Sequence, residues 1–120
     1  EDSTNPVLCY YASELHCRSC IDSLFSLVQQ FSISNSSLSI ALLADFQHKT
    51  DLNLFLRQQR YVGNVIKVSK TENDLFDTDF PFFFMYNPTE EKVSEVFRPE
   101  KSNPESTKRY LKLIGAKYNE

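Results

Sequence analysis

A cysteine pair, Cys17-Arg18-Ser19-Cys20, stands where a strand-like run gives way to a helix-like run. Upstream, Pro6-Val7-Leu8-Cys9-Tyr10-Tyr11 is apolar and rich in strand formers. Downstream, Ile21, Leu24, Phe25, Val28 and Phe31 recur at helical spacing. The motif therefore opens a helix that follows a strand. Two thiols in that position are an arrangement for exchanging a disulfide, and the context raises the match above a chance CxxC.

The chain has 120 residues, enough for one compact domain with one core and too few for two. A hydrophobic share of 41%, with ten Phe and six Tyr, is a globular composition rather than a disordered one. The net charge is −3 and no basic stripe is interleaved with aromatics, so no nucleic-acid partner is expected. The apolar runs are far below membrane-spanning length. Three cysteines fit one redox or metal pair plus one leftover better than a stapled secreted framework. Residues 1–6 read as a polar lead to a domain over 7–120. No targeting segment is visible, which the reading takes as a mature or trimmed chain.

A coarse pass marks a strand over 7–12, a helix over about 17–31, a turn at 34–37 and a largely buried strand over 38–46. Thr50 reads as a helix N-cap, Leu52, Phe55 and Leu56 as the apolar side of that helix, and Gly63 as its close. A short strand follows over 65–69. The acidic stretch at 71–77 is predicted to form one helical turn around Leu75 and Phe76. Phe82-Phe83-Phe84-Met85-Tyr86 has no polar alternation, so a strand covered on both faces is expected, with 93–97 returning antiparallel after a turn. Asn103-Pro104-Glu105 is a helix start, and Tyr110, Leu111, Leu113, Ile114 and Tyr118 form the predicted buried stripe. The order implies an α/β fold with a mixed sheet and helices on both faces.

These residues resemble the thioredoxin superfamily, in its TlpA-like branch. The matching segments are Tyr10-Tyr11-Ala12-Ser13, His16-Cys17-Arg18-Ser19-Cys20 and Asp79-Phe80-Pro81-Phe82-Phe83-Phe84-Met85-Tyr86, and the element order agrees from Val7 to Tyr118. The resemblance implies a thioredoxin-like three-layer α/β/α sandwich with a mixed central sheet. It implies a cis peptide at Phe80-Pro81 facing the cysteines, where an extended substrate would pair. It also implies an extracytoplasmic chain, periplasmic or held at the envelope through a segment absent here. The chain departs from the family in four places. His16 stands where Trp is usual, and Arg18-Ser19 where Gly-Pro is. Glu14 and Leu15 are extra, and Cys9 or Tyr10 falls near the place of the family's buried acid.

The expected chemistry is thiol–disulfide exchange. Cys17 would be the nucleophile, its thiolate favoured by the helix N-terminus, by Arg18 and by a protonated His16, and opposed by Glu14 and Asp22. Cys20 would be the resolving thiol. His16, Arg18, Ser19, Phe80 and Pro81 are the candidate substrate contacts. The redox centre would be the Cys17–Cys20 disulfide itself, with no other cofactor. The partners would be a protein or small-molecule disulfide or dithiol and a redox partner protein. A metal site built on His16, Cys17 and Cys20 is the weaker reading, because Cys9 is too far back and His48 is only a candidate fourth ligand. Cys9 reads as an apolar core residue. The competing class is a non-enzymatic binding module in which the disulfide only stiffens the loop. The altered motif favours it, and the retained cysteine pair argues against it.

Overall fold

The computed structural model describes residues 5–61, 63–71, 73–100 and 102–118. Most of the polar lead (residues 1–4) and Glu72 of the acidic stretch lie outside them. The elements run β1 (Val7–Ser13), α1 (Arg18–Ser34), β2 (Ser39–Asp45), α2 (Lys49–Gln59), β3 (Asn64–Lys67), a 3-10 turn (Asp74–Phe76), β4 (Phe82–Asn87), β5 (Lys92–Phe97) and α3 (Pro104–Tyr118). This is the predicted order.

The five strands form one sheet in the order β3-β2-β1-β4-β5. β1 and β2 are parallel, as are β2 and β3. β4 runs antiparallel to β1, and β5 to β4. Parallel neighbours need a crossover, which α1 and α2 supply, whereas β4 and β5 are joined by a tight turn. In that turn the Asn87 side-chain oxygen accepts the Thr89 and Glu90 amides at 2.9 and 3.2 Å, replacing backbone bonds that a four-residue loop cannot make.

Side chains alternate across the sheet, and this sorts the core into two layers. Leu8, Tyr10 and Ala12 of β1, Leu42 and Ala44 of β2, and Phe83 and Met85 of β4 share one face. Ile21, Leu24, Phe25, Val28 and Phe31 of α1, Leu52 and Phe55 of α2, and Leu111 and Ile114 of α3 join that cluster. Two successive right-handed crossovers moving the same way along a sheet put both helices on one face, which is why α1 and α2 lie together. Tyr10 stacks between Phe25 and Phe83, with ring centroids 5.5 and 5.0 Å away. The opposite face carries Cys9, Tyr11, Ala41, Leu43, Phe82 and Phe84 under Phe76 of the 3-10 turn. The layer expected on the second face is therefore that turn and its flanking loops. β4 is buried on both sides, as its unbroken apolar run requires: Phe82, Phe83, Phe84 and Met85 are each at most 4% exposed.

Three local expectations are corrected. α2 begins at Lys49 with His48 in the cap position, so Thr50 sits inside the first turn. No side chain caps the helix, and just before it the Gln47 amide donates to the Glu14 carboxylate at 3.0 Å. α2 ends not at Gly63 but at Arg60, which adopts the left-handed conformation, φ 55° and ψ 39°. Gly63 is small for another reason: a Cβ there would stand 2.5 Å from the Tyr61 hydroxyl, which folds over it to donate to the Asn64 carbonyl at 2.8 Å. Leu113 is not part of the buried stripe of α3. It lies exposed, while Thr107, Leu111, Ile114 and Gly115 face inward.

Candidate functional site

The site forms where β1 ends and α1 begins, at the C-terminal edge of the parallel strands, where α/β sheets present their loops. Ser13 closes β1, and a tight turn follows: the Ser13 hydroxyl accepts the Leu15 amide at 3.1 Å, and the Ser13 carbonyl accepts the His16 amide at 3.0 Å. The two extra residues form this turn. It leaves Leu15 76% exposed, two positions before Cys17.

Cys17 is the N-cap of α1. Its sulfur accepts the Cys20 amide at 3.4 Å and lies 3.3 Å from the Ser19 hydroxyl. Cysteine here takes the place that serine or aspartate fills at other helix starts. Cys17 is exposed and Cys20, one turn on, is buried. No disulfide joins the two. The hydrogen-bond donors and the positive end of the helix converge on one accessible sulfur, an arrangement that stabilises negative charge on it.

The neighbours differ from expectation. Arg18 turns toward α2: its guanidinium pairs with Asp22 at 3.1 Å, donates to the Gln58 side-chain oxygen at 2.6 Å, and lies 5.0 Å over the Phe55 ring. The predicted opposition of Arg18 and Asp22 is therefore an ion pair whose charges offset each other. Glu14 is held by the Gln47 amide. Ser19 is exposed, with its hydroxyl against the Cys17 sulfur.

His16 is 7% exposed, so it is neither a free cation nor a surface contact. Its Nδ1 accepts the Ser13 amide at 3.1 Å, and its Nε2 lies 3.1 Å from the Thr78 carbonyl. An amide donor at Nδ1 and a carbonyl acceptor at Nε2 admit one neutral tautomer, with the proton on Nε2. Burial pushes the imidazole below its ordinary 6.5, against the Thr78 carbonyl and the Asp45 and Asp79 carboxylates, which pull the other way. The predicted protonated His16 is thus corrected. Nothing in the sequence marked Thr78, 62 residues away, as its partner.

The Phe80–Pro81 peptide is trans, since no cis peptide occurs among the described residues. This corrects the cis bond implied by the resemblance. The trans form is intrinsically favoured, and the Thr78 hydroxyl closes the turn before the proline by donating to the Phe80 carbonyl at 2.8 Å. Pro81 is buried. Phe80 lines a cavity of ≈ 230 Å³ together with Cys20, Leu24, Leu27, Pro99 and Thr107. The Thr107 hydroxyl is buried there without a hydrogen-bond partner among the described residues.

Beneath the site, where the family's buried acid would fall, Tyr10 donates to the Ile21 carbonyl at 2.9 Å. Burial, and then Asp22 and Cys20, hold its phenol well above the ordinary 10, so it remains a donor. Cys9 points to the other sheet face, and burial pushes its thiol up to about 12. Among the described residues no three His, Cys, Asp or Glu side chains come together to hold an ion, and both nitrogens of His16 serve backbone groups. Among the same residues no helix is long and apolar enough to cross a membrane.

No family model matches the sequence, and no curated protein does. Solved structures do match. The thioredoxin domain of a thiol-disulfide oxidoreductase from Bacteroides vulgatus superposes with a TM-score of 0.71 at 13% identity, over 98% of this chain and 81% of that one. A thiol:disulfide interchange protein DsbE from Chlorobium tepidum gives 0.65 at 15%, over 94% and 81%. A secreted Mycobacterium tuberculosis disulfide oxidoreductase homologous to Escherichia coli DsbE gives 0.62 at 12%, over 89% and 81%. At these identities the likeness is one of architecture, and by architecture the chain has the thioredoxin-like fold.

Proposed function

We propose that the chain is a thiol–disulfide oxidoreductase with Cys17 as nucleophile and Cys20 as resolving thiol. One observation carries the reading: an accessible sulfur caps a helix, receives the Cys20 amide at 3.4 Å, and has its companion buried one turn behind. The Cys17 thiolate attacks one sulfur of a substrate disulfide, that S–S bond breaks, and the second sulfur leaves as a thiolate. Cys20 then gives up its proton and attacks the Cys17 sulfur of the mixed disulfide. The first substrate sulfur leaves as a thiolate and a Cys17–Cys20 disulfide forms. Two electrons pass from the dithiol to the substrate, and the reverse sequence oxidises a dithiol. A redox partner protein resets the pair, which needs no other cofactor.

A protein or small-molecule disulfide reaches Cys17 past Ser19 and the exposed Leu15, and the cavity beside Cys20 and Phe80 takes a neighbouring group of the substrate. The secreted and DsbE-type character of the matched proteins supports an extracytoplasmic setting.

The test is insulin reduction with dithiothreitol, compared with Cys17→Ser. Wild-type turnover at least about tenfold above the variant is expected, in line with loss of a covalent nucleophile. Cys20→Ser is expected to accumulate a mixed disulfide visible by non-reducing electrophoresis. Turnover equal to that of Cys17→Ser, with nothing trapped, would return the chain to the class of non-enzymatic binding modules.

A further inference from the structure

His16 joins two segments that the sequence keeps far apart. On one side the Ser13 amide donates to Nδ1, inside the turn that carries Leu15 and leads directly into Cys17. On the other, Nε2–H donates to the Thr78 carbonyl, in the segment whose own Thr78 hydroxyl holds the Phe80 carbonyl. The Ser13 amide spends its donor on the ring, and at this end of β1 it is the Glu14 amide that donates to Asp45. The Nδ1 contact requires the neutral ring, whereas the Nε2–H bond to Thr78 survives protonation, so it is the Ser13 side of the join that a proton breaks. A proton at Nδ1 faces an amide N–H with no lone pair between them, and the contact turns repulsive.

We infer that neutral His16 is a positioning residue that clasps the Cys17 turn to the segment leading into Phe80 and Pro81, and that protonation at Nδ1 opens the clasp. The groups around the ring define the balance. Asp45 from the end of β2 and Asp79 from the segment before the proline favour the proton. Asp45 is itself engaged by the Tyr11 hydroxyl at 2.8 Å and the Lys70 amide at 3.0 Å, and Tyr11 presents its ring to His16 at 5.7 Å. Asp77 bears on Tyr11 from the same loop. Glu14, in the turn itself, is held by the Gln47 amide. Burial of the ring opposes the proton and prevails at neutral pH.

A consequence for catalysis rests on the redox reading above: the Cys17 sulfur and the Phe80–Pro81 edge keep a fixed separation above the transition and lose it below. The clasp itself does not depend on that reading, and it is measured separately. Nitrogen-15 NMR of the full chain is expected to show the Nε2–H tautomer at neutral pH. Protection of the Ser13 amide against exchange, corrected for its intrinsic rate, is expected to fall as pH falls below 6.5. The fall is by up to about tenfold per pH unit until the folded-state value is reached. The Thr78 and Phe80 amide shifts move over the same window. His16→Gln retains a donor toward Thr78 but has no titrating ring, and it is expected to abolish the pH dependence. In wild type the rate of mixed-disulfide formation, corrected for thiolate fraction, bends in that window, whereas in His16→Gln it does not. An Nδ1–H tautomer, or Ser13 protection independent of pH in the wild-type chain, would overturn the clasp even if exchange is intact. If Cys17 exchanges no disulfide at any pH, the redox proposal falls and the Ser13 measurement still decides the clasp.

Discussion

Cys9 and Cys17 are one residue type in opposite conditions. Cys9 is sealed in the second face of the sheet, its thiol pushed up to about 12 by burial, and Cys17 is exposed at a helix start. Alkylation of the native protein at neutral pH is therefore expected to modify Cys17 and to reach Cys9 only after denaturation, as peptide mass mapping would show. Equal labelling of both would mean that the second face opens. Tyr10 offers a second check. Tyr10→Phe removes the hydroxyl that donates to the Ile21 carbonyl and keeps the ring between Phe25 and Phe83. A loss of about 0.5–1.5 kcal/mol in urea unfolding is expected. At this scale the sequence marked the cysteine pair at the strand–helix junction, where the structure has it, and misjudged the surroundings of its neighbours. Residue types declare which charges are available, but whether Arg18 turns to Cys17 or to Gln58, and whether His16 has room for a second proton, depends on atoms from other elements.

Among the elements, α1 and α3 meet at a glycine. A Cβ on Gly115 would lie 2.9 Å from the Asn35 side-chain oxygen and 3.1 Å from the Phe31 ring. Gly115→Leu is thus expected to destabilise by about 1–3 kcal/mol through overpacking, despite the better helix propensity of leucine. A neutral or stabilising result by chemical denaturation would mean that the contact is loose. α3 is also tied to β5. The register of β5 shifts against β4, and Glu95 takes the left-handed conformation, φ 52°. Its carbonyl accepts the Tyr110 hydroxyl at 2.8 Å, and its carboxylate takes Lys117 at 2.9 Å and the Tyr118 hydroxyl. Element type and order were legible, because hydrophobic period distinguishes strand from helix. Element ends were less so. α2 starts at Lys49 behind His48 without a side-chain cap, and it stops at Arg60, whose left-handed backbone ends it without a glycine.

For the molecule as a whole, buried phenols set an upper limit of pH. Burial raises Tyr10, Tyr11 and Tyr110 above the ordinary 10, and Tyr61 to about 12. A group whose folded value is raised contributes stability that is complete below its unfolded value and is lost as pH rises through the folded one. Unfolding is therefore expected to set in above pH 10, with tyrosinate absorbance and loss of circular dichroism rising together. His16 acts at the other end. Its folded value is depressed, so its contribution is complete above 6.5 and is lost as pH falls toward the folded value. His16→Gln is expected to flatten that acid limb of the stability profile, measured by urea unfolding across the pH range. Phenol ionisation well before unfolding, or an unchanged acid limb, would count against the burial of those groups.

The sequence by itself determined the class of fold, the order of its elements and the strand–helix junction that carries both cysteines. These follow from local period, caps and composition, which act between residues a few positions apart. The tertiary structure alone decided which side of the sheet the helices share, the inward-facing neutral ring of His16 and the partner it finds at Thr78. Each of these is a contact between segments distant in the chain, settled by packing and by the hydrogen bonds that buried groups must make.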